Sequence, residues 1–155
     1  MRIAVVSDIH GNFTAFEAVL RSLRESAPDL VLHGGDLAEG GSRPVEVIDN
    51  IRSLGWQGVV GNTDEVLWAP ERLEEIAIKV PTLHSLMTCI GEIVAATCEW
   101  LGEDRIAWLR TLPQVKHSGQ LALVHAAPND LWRAPLATAS DAELESVYSV
   151  LGARI

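Results

Sequence analysis

The residues of this chain that could do chemistry fall into short groups separated by apolar runs: Asp8-Ile9-His10, Gly35-Asp36, Gly61-Asn62-Thr63-Asp64 and Val124-His125. They offer carboxylate, amide and imidazole donors without a thiolate, a set suited to Mn, Fe, Zn or Mg and unsuited to a structural zinc cage. Together they are too many hard ligands for one small ion. A carboxylate such as Asp36, with two oxygens, can bridge two cations about 3.5–4 Å apart, the spacing of two-metal hydrolytic sites. Gly11, Gly35 and Gly61 stand beside the ligands, where the missing Cβ lets backbone and solvent approach closely.

Each group alone has a plainer explanation. An aspartate or asparagine after a strand commonly caps a helix or makes a turn, and a single histidine is commonly a satisfied core residue. Four such groups at four strand ends are not explained by capping, and their joint pattern predicts a metal site. His33, His84 and His117 have no such company and read as core or surface histidines. Gly40-Gly41 reads as a loop, without the Lys-Ser/Thr that a phosphate-cradling loop requires.

The elements that must position these groups follow from periodicity. Ile3 to Val6 is an apolar run predicted to be a strand covered on both faces. Phe16, Val19, Leu20 and Leu23 recur on one helical face, with Thr14 and Glu17 as a capping box at its start and Ala27-Pro28 as its stop. Leu30 to His33 is a second strand, Pro44 opens a helix with Val45, Ile48 and Ile51 on one face up to Gly55, and Gln57 to Val60 is a third strand. Three βα units in series predict a parallel sheet with right-handed crossovers. Open α/β sheets take their ligands at the carboxyl ends of the strands, where the first three groups lie. Residues 65–113 read as helical, divided by Pro70, Pro81 and Gly102. Gln114 to His117 and Leu121 to His125 read as two strands joined at Ser118-Gly119. Ser140 to Leu151 reads as a last helix with a Ser140-Glu143 capping box and Gly152 as its stop.

A chain of 155 residues with 48% hydrophobic residues predicts one domain, 1–155, with one core. Twelve basic against 21 acidic residues, a net charge of −9, disfavour long nucleic acid and anionic membranes as partners. A small phosphorylated substrate remains compatible, because bound cations reverse the charge locally. No apolar run is long enough to span a bilayer, and MRIAVVS lacks the hydrophobic region of a signal peptide, so the expected address is the cytoplasm. Cys89 and Cys98 read as two ordinary thiols. Nothing in the sequence sets the oligomeric state.

On the quoted motifs the chain resembles the calcineurin-like metallophosphoesterases, whose motif order is DxH, GD, GNH(D/E), a lone His and a final GHxH, and most of all their small prokaryotic phosphodiesterase branch. The resemblance runs from Met1 to the C-terminus and implies an α/β fold, a four-layer αββα sandwich. It implies two divalent ions, Mn foremost and Fe, Zn, Ni or Mg as alternatives. Asp8 and His10 would hold the first, Asp36 would bridge, and Asn62 and His125 would hold the second. Asn62 would also offset charge on the phosphoryl oxygens, and Asp64 would accept hydrogen bonds behind the site and orient a ligand. The implied reaction is hydrolysis of a small, nucleotide-like phosphodiester by attack of a metal-bridging hydroxide. The alternative is a catalytically weak or inactive scaffold of the same fold that binds a partner protein.

Three departures modify that expectation. The family's histidine after the asparagine is Thr63, whose hydroxyl is a poor acid at neutral pH, which favours diesters with good leaving groups. The arginine of the family's GDxxDR pattern is missing, since Asp36 is followed by Leu37-Ala38-Glu39-Gly40, leaving phosphate to the metals and Asn62. The final GHxH is absent, and Arg154-Ile155 read as the start of a strand. The expectation is therefore a domain that continues beyond Ile155, each metal lacking one imidazole.

Overall fold

The computed structural model describes residues 1–152, so the strand expected from Arg154 lies outside the described residues. Strands β1 (Ile3–Val6), β2 (Leu30–His33) and β3 (Gln57–Gly58) form one parallel sheet in the order β1-β2-β3, joined by helices α1 (Phe13–Ser26) and α2 (Pro44–Leu54). A short helical turn, α3 (Asn62–Glu65), follows β3, and α4 (Glu71–Lys79) and α5 (His84–Arg110) make up the helical middle. Strands β4 (Val115–Ser118) and β5 (Leu121–Val124) pair antiparallel as a separate sheet, and α6 (Asp141–Tyr148) comes last. The α/β reading holds, with two sheets present.

One apolar cluster ties these elements together. Val6 of β1, Phe16 of α1, Val47, Ile48 and Ile51 of α2, and Val94, Leu101 and Leu109 of α5 all belong to it. Helix α5 follows the core by bending at Gly102, whose φ of 68° and ψ of 170° break the helical path. Among the described residues no helix is long and apolar enough to cross a membrane.

Several expectations are corrected in detail. Helix α1 is capped by Asn12, whose Oδ1 accepts from the Ala15 N–H at 3.1 Å, and Thr14 lies inside the helix. On α2 the buried face runs through Val47, Ile48 and Ile51, while Val45 is only partly buried. Strand β3 is shorter than expected: its last ladder bond to β2 is from the Val59 N–H to the His33 carbonyl at 3.1 Å, and the next donor on that side, the Gly61 N–H, turns to Asp64 Oδ2 at 3.1 Å. Strand β1 is not covered on both faces: Val6 is buried but its neighbour Val5 is 54% exposed. At α6 the expected capping box is present, Ser140 N–H donating to Glu143 Oε2 at 2.8 Å.

Candidate metal centre

The centre is built by loops that prolong the sheet beyond its strands. The Gly34 N–H donates to the Val6 carbonyl, and the N–H groups of Asp8, His10 and Gly11 donate in turn to the carbonyls of Gly35, Asp36 and Leu37 at 2.9–3.1 Å. The two loops are thus laced together residue by residue. Asp8, His10 and Asp36 adopt φ values of 57°, 49° and 54°. These lie in the left-handed region, which Asp and His tolerate better than most residues and which still costs about 1 kcal/mol or more each. Gly61 crosses so close to the Asp36 loop that a Cβ there would lie 2.0 Å from Asp36 Oδ1.

These loops bring the predicted residues together. Asp8, His10 and Asp36 each present a ligand atom within 4.8 Å of the others. Asp36 is buried, and its Oδ1 accepts from the Thr63 N–H at 2.9 Å, which leaves Oδ2 turned inward. Oδ2 lies 3.7 Å from His10 Nε2 on one side and 3.6 Å from His125 Nε2 on the other. Asn62 Oδ1 stands 2.9 Å from the same His125 nitrogen. The expected donors therefore form two groups that share Asp36.

Both imidazoles are oriented by backbone carbonyls. His10 Nδ1 donates to the Glu39 carbonyl at 2.9 Å, and His125 Nδ1 donates to the Gly34 carbonyl at 2.7 Å. With Nδ1–H so committed, the neutral ring keeps its lone pair on Nε2, facing the carboxylates. For His125 that lone pair meets the Asn62 oxygen and Asp36 Oδ2, three electron-rich atoms with no donor of their own between them. Such a constellation fits a divalent cation. At His10 the Glu39 side chain, 3.7 Å from Nδ1, then the Glu39 carbonyl and Asp36 hold the pKa up to about 9 against the opposing effect of burial, so a cation bound at Nε2 near neutral pH must displace a proton.

Asp64 lies beneath the centre and does not face it. It is fully buried and accepts the N–H groups of Asp36 and Leu37, both at 2.9 Å, and of Gly61 at 3.1 Å. The carboxylate fastens the two ligand loops to each other. Burial, and then the Asp36 charge, raise its pKa to about 6 despite those three donors. Thr63, standing where the family's histidine would be, has its hydroxyl buried without a hydrogen-bond partner among the described residues.

Other contributors carry no sequence signature. Gly34 and Glu39 act through their carbonyls, and Ser7 Oγ donates to Asp8 Oδ2. Of the remaining histidines, His33 is buried, while His84 and His117 are exposed.

Comparison with known proteins places these features in context. The model of one family, described as calcineurin-like phosphoesterase, matches residues 1–141. A symmetrical bis(5'-nucleosyl)-tetraphosphatase from Methylococcus capsulatus is 32% identical over 152 residues, 96% of this chain and 51% of that protein. A protein of the same name from Aromatoleum aromaticum is also 32% identical, over 96% of this chain and 52% of its own. A crystal structure of a metallophosphoesterase from Sphaerobacter thermophilus superposes with a TM-score of 0.65 at 25% identity, covering 87% of this chain and 51% of that one. The chain spans about half the length of the curated relatives it matches.

Proposed function

Because this chain belongs to the calcineurin-like phosphoesterase family, which implies divalent metal ions, we propose that it hydrolyses a small phosphodiester of the nucleoside polyphosphate class. The observation that carries the reading is the position of Asp36 Oδ2, 3.7 Å from one imidazole Nε2 and 3.6 Å from another. Asp8, His10 and Asp36 would hold one divalent ion, and Asp36, Asn62 and His125 a second, with Mn as the first candidate and Fe, Zn, Ni or Mg as alternatives. Two such ions supply an activated water near neutral pH and charge neutralisation on phosphate. The names of the two tetraphosphatases support the substrate class.

The protein's own residues do the rest. Asn62, the first residue of α3, sets its Oδ1 beside His125 and would offer its amide N–H groups to a phosphoryl oxygen there. Asp64 keeps the Asp36 loop and the Gly61 loop in register, so it acts as a positioning residue through the backbone. His10 and His125 are fixed in one tautomer by carbonyls. Thr63 supplies no acid, so the leaving group must depart with little help, and a phosphate or aryloxide leaves more readily than an alkoxide. Two free cysteines and a nucleotide-class substrate support a cytoplasmic address.

The test joins metal analysis to turnover. The metal-loaded protein is expected to retain two divalent ions per chain and to cleave bis-aryl phosphodiesters faster than alkyl phosphomonoesters. A protein that binds no divalent ion and cleaves neither substrate would instead fit the scaffold reading. A monoester preference across metals would overturn the role given to Thr63.

A further inference from the structure

We propose that the cavity beside Asp8 and His10 is a subsite for a second phosphate of the substrate, linked to the one that is cleaved, and that Arg43 is the residue that holds it. This rests on the phosphodiesterase reading and assigns a residue to the part of the phosphate chain that is not cleaved. The cavity, about 550 Å³, is lined by Asp8, His10, Asn12, Phe13, Ser42 and Arg43 among others. Its size suits a nucleotide-scale ligand, and among the described residues Arg43 is the only Lys or Arg in its wall.

The guanidinium is pre-placed. Its carbon lies 4.4 Å from the centroid of the Phe13 ring, and its Nε donates to Glu46 Oε1 at 2.7 Å. Among the described residues neither Nη makes a hydrogen bond to the protein, so the forked end, with four N–H groups, is free for a ligand. That fork matches two phosphate oxygens at once, as a lysine ammonium cannot. The backbone beneath is equally fixed. The Arg43 N–H donates to the Gly11 carbonyl at 3.1 Å, and Gly41 sits so tightly on the His10 turn that a Cβ would lie 2.2 Å from the His10 carbonyl oxygen.

Chemistry gives the pocket its occupant. On a chain of net charge −9, a polyanion needs local cations. The metal centre supplies them at the scissile phosphate, and Arg43 supplies one next to it.

The experiment compares Arg43→Ala, Arg43→Lys and Glu46→Gln in the metal-loaded protein by calorimetry. The ligands are tripolyphosphate and a methylene-bridged, non-hydrolysable dinucleoside polyphosphate. Arg43→Ala is expected to weaken both by about tenfold or more, the range of a lost charge-assisted hydrogen bond, with Arg43→Lys recovering part. Tighter binding of the nucleotide than of tripolyphosphate assigns the subsite to nucleoside polyphosphates, and equal binding assigns it to inorganic chains; both support a phosphate subsite. Glu46→Gln breaks the same ion pair but keeps the fork, and should change affinity by less than about threefold. If Glu46→Gln loses as much as Arg43→Ala, the residue is only a loop clamp and the proposal fails. In turnover, Arg43→Ala should lower kcat/KM for a dinucleoside polyphosphate about tenfold more than for bis(p-nitrophenyl) phosphate. Equal losses on the two would overturn it. If the native protein cleaves neither substrate, the phosphodiesterase reading fails, while the calorimetry still decides the subsite.

Discussion

Asp8, His10 and Asp36 are placed by backbone hydrogen bonds that continue the β1–β2 ladder, whereas Asn62 and His125 meet only through side chains. The first group sits on the loops that follow two adjacent parallel strands. The second joins the start of α3 to the end of a hairpin in another sheet, and one imidazole contact to the Gly34 carbonyl anchors it. The difference predicts that the first half of the centre survives perturbations that dismantle the second. Asp36 belongs to both, and Asp64 keeps them in register from below.

The sharpest way to break this picture is at the shared residue. Asp36→Asn should lower phosphodiester turnover by about 1,000-fold or more, because a neutral amide forfeits several kcal/mol of charge stabilisation. Steady-state rates with a bis-aryl diester check it, and retained turnover would end the bridging role. Next in size is the staple beneath. Asp64→Ala strands three buried N–H groups and should destabilise the fold by about 3–5 kcal/mol in urea unfolding. Asp64→Asn, which keeps one acceptor oxygen, should lose less; equal stability of all three proteins would mean that the loops need no staple.

The two halves are separated by His125→Ala. It should weaken the second ion by well over about 100-fold, beyond the 10–100-fold typical of losing an outer-sphere partner, while leaving the first on Asp8, His10 and Asp36. Metal analysis after dialysis would then give one ion per chain. Two retained ions would erase the distinction between the halves.

A smaller effect comes from an imidazole treated differently from both ligands. His33 is fully buried with neither ring nitrogen hydrogen-bonded among the described residues, and burial lowers its pKa from 6.5 to about 4. The neutral ring is favoured in the folded state, so its contribution is complete above the unfolded pKa and is lost as pH falls from about 6.5 toward 4. Between pH 7 and pH 5 unfolding free energy should drop by about 2 kcal/mol on this account. Urea unfolding at both values, with His33→Leu showing a smaller drop than the native chain, checks it.

What the sequence disclosed tracks the same contrast. Asp8, His10, Asp36 and Asn62 were legible because each follows an apolar run on a βα unit, and a run ending abruptly in a ligand-type residue has few other causes. His125 was legible as the end of a second hairpin strand. The early end of β3 was not, because the Gly61 N–H leaves the ladder for the carboxylate of Asp64, whose burial beneath the loops no apolar pattern announces. The start of α1 was misread because Thr14 and Glu17 have the spacing of a capping box, whereas the cap is made two residues earlier by Asn12. The carbonyls of Gly34 and Glu39, which set both tautomers, belong to every residue type alike and leave no trace in a sequence.

The left-handed backbone at Asp8 carries a consequence for how this chain can change. Its side chain is 58% exposed, so it adds little to packing, while its φ of 57° is one that glycine adopts without strain. Asp8→Gly should therefore raise the melting temperature of the metal-free protein by about 2–4 °C, the return of roughly 1 kcal/mol of stored strain, while metal retention falls. A change that raises stability at position 8 is therefore one that removes a ligand, so this position sets binding against folding.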